Sequence, residues 1–271
     1  ATRTGPSPLH VSVVALPDAA ASTLFGIYDV MNAFALMDGS ATAPGASAPF
    51  RAEIVGMQAG RLELASGVPI DVQRSVDTID ATGIVIVPSI VLRPEGWQKN
   101  RYPRLVAWLQ AMHARGALLC SACSGIFLLA ETGVFDGKEA TVHFGYARAF
   151  AAVHPAVTIH PERVLVISGH REELVCSGAS TTWHDMVLYL IARHAGATDA
   201  QEVARLFALQ WHQEGLAPYI VFEGKADHGD AERLIARGET AVQTAKRAGG
   251  ARLGLFTAEM DEDMSHDLEL L

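Results

Sequence analysis

Short apolar runs of strand length alternate along this chain with segments whose apolar positions recur every three or four residues. Residues 9–16, Leu-His-Val-Ser-Val-Val-Ala-Leu, are rich in β-branched side chains and predict a strand that Pro17-Asp18 ends. Over 23–37, Leu24, Ile27, Val30, Met31 and Phe34 fall at helical spacing, and residues 38–49, rich in Gly, Ala, Ser and Pro, read as a loop. Residues 50–56 and 62–64 predict strands, the second a β-extension. Residues 84–87, Ile-Val-Ile-Val, are continuously apolar, as a central parallel strand covered on both faces requires. Pro88-Ser89 opens a loop at its C-terminal end. Residues 102–115 form an amphipathic helix with Leu105, Val106, Leu109 and Met112 on one side. Further on, the pattern predicts a short strand over 140–144 ending in His143, a helix over 146–152, strands over 164–167 and 174–176, and helices over 181–195 and 198–210. Strand and helix thus alternate. The expected fold is α/β, a mostly parallel sheet with helices on both faces, and ligands in such sheets sit beyond the C-terminal strand edge. Beyond about Gly224 the pattern changes to a linker, a helix over 231–248, a short strand over 253–256 and an acidic tail over 258–271. The expected division is residues 1–224 as one domain and 225–271 as linker and appendage.

The chain is organised around residues 117–125, Ala-Leu-Leu-Cys-Ser-Ala-Cys-Ser-Gly. A short apolar run enters a cluster of small residues, and Ile126, Phe127, Leu128, Leu129 and Ala130 leave it in helical order. Buried strand, sharp turn, helix is the order of a nucleophile elbow, with Cys123 at the apex in a strained conformation. Ser121 and Gly125 are small enough to let neighbouring backbone approach. The helix N-terminus behind Cys123 should favour a thiolate. The other reading of the same pattern is an inert thiol buried in a core strand.

Composition narrows the function classes. The chain has 271 residues, 49% hydrophobic and 19% charged, which suits one large domain with an appendage. No apolar run is long enough to cross a bilayer, and the first residues lack the apolar core of a signal peptide, so no membrane partner and a cytoplasmic setting are expected. The net charge of −9 argues against this chain, as it stands, offering a nucleic-acid-binding surface. Cys120 and Cys123 match C-x-x-C, but one lies in the strand, the other at the apex, and no second pair exists. Neither a metal site nor a cofactor is expected.

Several longer motifs carry a resemblance. Cys-Ser-Gly at 123–125, Leu-Leu-Ala-Glu-Thr-Gly-Val-Phe-Asp-Gly-Lys-Glu-Ala-Thr-Val-His-Phe at 128–144 and Gly-Ala-Ser-Thr-Thr-Trp-His-Asp-Met-Val-Leu-Tyr-Leu-Ile at 178–191 resemble the PfpI/ThiJ superfamily, which is class I glutamine amidotransferase-like. More narrowly they resemble its branch that forms the N-terminal ligand-sensing domain of AraC-type transcriptional regulators. The similarity covers roughly residues 9–228. It implies a flavodoxin-like parallel-sheet sandwich with a cysteine elbow, a small-molecule ligand and a homodimer. Three departures stand out. Hydrolytic relatives often have His after the nucleophile, where this chain has Ser124. Many relatives place an acid after the first strand, where this chain has Ala19, Ala20, Ala21, Ser22 and Thr23, leaving Asp18 as the nearest carboxylate. Regulators of this branch continue into a double helix-turn-helix, and residues 229–271 contain none that is recognisable, so DNA would be reached only through a reader domain not recognisable in this chain. Instead, residues 231–256 are weakly similar to the last helix and strand of diguanylate cyclase domains, without their catalytic loop.

The candidate catalytic residues are Cys123 as nucleophile or reactive thiol, with His143 and Asp18 as partners. His143 reads equally as a pocket residue and as a hydrogen-bonded structural histidine. The candidate ligand-binding residues are Ser89 and Ile90, in the loop where the resemblance implies an anion hole of backbone N–H groups, with Cys123, Ser124 and Gly125. A Cys123–His184–Asp185 triad is disfavoured by geometry, since adjacent helical residues point about 100° apart. Asp185 reads as favourable charge at a helix N-terminus, and His212 as a surface or core residue. Three functions fit: a ligand-sensing, dimerising domain of an AraC-like regulator; a Cys-dependent hydrolase or hydratase of a small carbon–nitrogen or carbonyl substrate; and a thiol redox sensor. A bond between the Asp18 carboxylate and the Cys123 sulfur would favour the enzyme.

Overall fold

The computed structural model describes residues 7–34, 48–212 and 215–216. The appendage expected over 225–271 and the loop expected over most of 38–49 lie outside the described residues.

Among the described residues, a seven-stranded sheet in the order β10-β11-β7-β6-β1-β2-β5 forms the centre of the fold. Its strands are β1 (Leu9–Val14), β2 (Phe50–Gly56), β5 (Arg74–Ser75), β6 (Ile84–Val87), β7 (Leu118–Ala122), β10 (Leu165–Ser168) and β11 (Leu174–Ser177). All neighbours run parallel except β10 and β11. Every residue of β6 is fully buried, which accounts for its uninterrupted Ile-Val-Ile-Val: a strand with helices on both faces has no polar side. The Ala21–Met31 helix buries Leu24, Ile27, Val30 and Met31. The Pro103–Ala114 helix starts with proline at its first position, where no backbone donor is missed.

The β-extension is real: β3 (Gly60–Glu63) and β4 (Pro69–Val72) pair antiparallel outside the main sheet. The strand expected over 140–144 is much shorter. Only Glu139–Ala140 (β8) pairs, with Thr158–Ile159 (β9), and this ladder is separate from the main sheet. His143 therefore does not end a sheet strand. It precedes a 3₁₀ turn at Phe144–Tyr146, and its Nδ1 accepts the Gly145 N–H at 3.1 Å. The β-branched Thr141 and Val142 are buried by packing instead of pairing, and the Thr141 hydroxyl donates to the Arg163 carbonyl.

The chain order places the change of winding direction between β1 and β6, so their C-terminal loops meet. These loops are stitched together. The Ala20 N–H donates to the Ser89 carbonyl and the Val91 N–H to the Asp18 carbonyl, each at 2.8 Å, forming a bridge between Ala19 and Ile90.

Candidate functional site

Strand β7 ends at Ala122, and the backbone turns at once. Cys123 has φ +53°, in the left-handed region that costs a non-glycine residue energy. A 3₁₀ turn over Cys123–Gly125 then feeds the Ile126–Ala130 helix. The turn is held from below by the end of β6. A Cβ on Gly125 would lie 2.5 Å from the Val87 carbonyl oxygen and 2.6 Å from that of Pro88, so only glycine allows this approach.

Ser124 provides the second hold. Its buried hydroxyl donates to the Ile90 carbonyl at 2.5 Å and accepts the Ile90 N–H at 2.8 Å. One side chain thus satisfies both backbone groups of a buried loop residue, where the sequence suggests only a backbone role for Ser124. Ser89 accepts a hydrogen bond from the Thr23 hydroxyl at 3.2 Å, which ties the same loop to the first helix.

These contacts bring Ser89, Ser124 and Gly125 to Cys123. The sulfur lies 3.9 Å from the hydroxyl of Ser180, a residue that the sequence does not mark as part of the site. Burial pushes the Cys123 thiol pKa up from its ordinary value; the hydroxyls of Ser180, Ser124 and Ser89 and the Ser124 backbone oppose that rise without cancelling it. This reverses the expectation of a stabilised thiolate. The helix behind Cys123 has only five residues and begins as a 3₁₀ turn, so its dipole is weak, while the residue is only 3% exposed. Cys120 and Cys176, free and wholly buried in their strands, are also pushed up by burial, Cys176 to about 12.

Asp18 turns elsewhere. Its buried carboxylate accepts from the Tyr102 hydroxyl at 2.5 Å and pairs with the Arg101 guanidinium at 2.5 Å. Burial and then Asp18 push the Tyr102 phenol pKa up, so this hydroxyl stays a donor. The expectation of Asp18 as the partner of the thiol is corrected accordingly: the carboxylate serves as the acceptor of this pair. His143 stacks on Phe144 with ring centroids 4.3 Å apart and on Tyr146 at 5.6 Å.

Two further residues differ from their sequence reading. Asp185 is buried, and both of its oxygens hold one residue: Oδ1 accepts the His212 N–H at 2.9 Å and Oδ2 meets His212 Nδ1 at 2.7 Å. An open cavity of about 340 Å³ lies alongside, lined by Thr181, His184, Trp211 and His212 among others. Burial lowers the His184 pKa, and neighbouring His212 lowers it while Asp185 opposes. Among the described residues no three His, Cys, Asp or Glu side chains converge as metal ligands would, and no helix is long and apolar enough to cross a membrane.

Comparison with known proteins gives concordant findings. A sequence model of the DJ-1/PfpI family matches residues 13–193. The HTH-type transcriptional regulator CdhR of Pseudomonas aeruginosa is 34% identical over 107 residues, 40% of this chain and 31% of that protein. The HTH-type transcriptional regulator GbdR of the same species is 30% identical over 149 residues, 55% of this chain and 38% of that protein. The chain thus aligns with only about a third of the length of these curated relatives. An AraC family transcriptional regulator from Pseudomonas putida superposes with a TM-score of 0.60 at 18% identity, covering 74% of this chain and 100% of that one. A ThiJ/PfpI family protein from Pseudomonas syringae gives 0.58 at 18% identity, covering 76% of each. These superpositions show the flavodoxin-like α/β fold.

Proposed function

The chain belongs to the DJ-1/PfpI family, and from that premise we propose that it is the small-molecule-sensing, dimerising domain of an AraC-like transcriptional regulator, with its ligand bound at the Cys123 crevice. The relatives that are HTH-type regulators support a regulatory role. DNA contact in this reading belongs to a reader domain not recognisable here, and the setting is the cytoplasm.

The observation that carries the reading is the state of the thiol. Cys123 is buried, its pKa is raised, and it is ringed by the hydroxyls of Ser89, Ser124 and Ser180. A nucleophile needs a base or a depressed pKa. A protonated thiol beside the Ser180 hydroxyl is suited instead to binding, because the pair offers weak, adaptable donors and acceptors to a polar guest.

The test is a thermal-shift screen of small polar metabolites, with turnover of each hit followed by mass spectrometry. A ligand at 100 times its Kd stabilises the folded state by about 2.7 kcal/mol, which raises Tm by roughly 5–10 °C. Ser180 is exposed, so Ser180→Leu should still fold and should abolish the shift measured against its own unliganded Tm. Hits that stabilise Ser180→Leu equally well, or that are consumed in a Cys123-dependent reaction, would overturn the proposal.

A further inference from the structure

The residues between β11 and the Trp183–His194 helix touch three parts of the molecule within eight positions. At one end, Gly178 leaves space that the buried Leu216 fills: a Cβ there would lie 2.7 Å from Leu216 Cδ1. In the middle, the Ser180 hydroxyl faces the Cys123 sulfur at 3.9 Å. At the other end, the buried Asp185 carboxylate grips His212 through both oxygens. The turn that joins these points is itself closed. The Thr182 hydroxyl accepts the Ala179 N–H at 2.8 Å, and the Thr182 N–H donates to the Ala179 carbonyl at 3.2 Å. A displacement of Ser180 is therefore carried into the helix start instead of being absorbed by a slack loop.

We propose that residues 178–185 couple the state of the Cys123 crevice to the anchoring of residues 212–216, the stretch through which the chain passes on to residues 217–271. The grip of Asp185 on His212 suits a two-state device. A buried carboxylate that loses its partner is left unpaired at considerable cost, so the clasp is either made or broken with little in between. Leu216 is held independently of His212: its N–H donates to the Glu162 carbonyl at 3.0 Å, and its side chain sits against Gly178. Room to move exists, because the cavity lined by Thr181, His184, Trp211 and His212 lies beside the clasp. A guest or an adduct on the Cys123 sulfur presses first on Ser180, and the turn passes that pressure to both anchors.

This inference deepens the sensor reading and rests on it for its purpose, since it supplies the route by which occupancy would leave the domain. The coupling itself can be measured without a ligand. The full chain is treated with iodoacetamide, intact mass confirms a single adduct that the Cys123→Ser variant lacks, and the protein is returned to pH 7. Backbone hydrogen exchange is then followed for peptides covering 208–216, with the buried β6 strand as a control for the fold. The adduct should speed exchange over 208–216 by about fivefold or more, with the control unchanged. In the reverse direction, His212→Ala, which removes the side-chain partner of Asp185 Oδ2, should raise the rate of Cys123 alkylation by about threefold or more, with the same control intact. Unchanged exchange over 208–216 in singly modified protein, an equal rise in the control, or an unaltered alkylation rate in His212→Ala would each overturn the coupling. The two readings fail separately. Absence of any stabilising metabolite counts against the sensor and leaves this coupling measurable, whereas flat exchange with ligand-dependent stabilisation intact counts against the coupling alone.

Discussion

Ser124→Ala tests the architecture of the site most directly. The Ser124 hydroxyl is the hydrogen-bonding partner of both the Ile90 N–H and the Ile90 carbonyl, at 2.8 and 2.5 Å, and both residues are at most 2% exposed. Removing it strands one buried donor and one buried acceptor. Each costs about 1–3 kcal/mol when left unpaired, so the substitution should destabilise by about 2–6 kcal/mol. For a domain of this size that lowers Tm by at least about 4 °C. The deleted oxygen is small, so the cost comes from unmet polarity and not from a cavity. Ser124→Thr keeps the hydroxyl and should recover part of the loss, provided its methyl fits. The assay is urea unfolding followed by fluorescence of the tryptophans, with the midpoint and slope fitted separately. Stability of Ser124→Ala within about 0.5 kcal/mol of the parent, at unchanged slope, would refute the two-bond account.

Alkylation of Cys123 should be slow at pH 7 and should keep accelerating through pH 9, because burial raises the thiol pKa; a rate that levels off by pH 7 would contradict this. The same shift has a sign for stability. The folded pKa lies above the unfolded value, so the thiol's contribution is fully present below about pH 8.5 and is lost as pH rises further; Cys123→Ser should flatten that alkaline limb of a Tm–pH curve. Glu53 gives the opposite case. Desolvation opposes its ionisation, but Arg51, His10 and Arg74 prevail and lower its pKa to about 2. Its contribution is therefore present above the ordinary carboxylate range and lost as pH falls from about 4.5 towards 2, so Glu53→Gln should weaken the acid dependence of unfolding. Gly125→Ala places a methyl 2.5 Å from a backbone carbonyl and should lower the yield of folded protein or its Tm by more than Ser180→Ala, which lies at an exposed position; equal Tm values would discount the close approach.

Much of this could be read from the order of residues. Continuous burial leaves a plain mark, so Ile84–Val87 identified itself as a central strand, and small residues followed by Ile126–Ala130 marked the turn at Cys123. The place of Ser89 and Ile90 in a loop after a strand was legible, but the Ile90 N–H, expected to face a ligand, is taken by the Ser124 hydroxyl. What escaped depends on contacts between distant positions. Asp185 and His212 are 27 residues apart, and nothing local distinguishes a clasped aspartate from one that merely favours a helix start. Ser180 reaches the sulfur from 57 residues away. The direction of the Cys123 shift failed for a different reason: two opposing effects act on the thiol, and the winner, burial, is a property of the folded molecule. The strand expected at 140–144 failed because β-branched residues are favoured by buried packing as well as by pairing.

The stitching of the β1 and β6 loops has a consequence for access. In open parallel sheets the gap where the winding reverses is the usual way in for a guest. Here Asp18, Ala19, Ser89 and Ile90 are all at most 6% exposed, and the bridge between Ala19 and Ile90 acts as a wall across that gap. Ser180 and Thr181 on the opposite flank are exposed. Any approach to the sulfur is thereby left to the side of Ser180 and Thr181, since Thr182 and Trp183 beside them are buried. Exchanging Ser180 and Thr181 alone would change which molecules are admitted while leaving the wall, the sheet and the strained turn untouched.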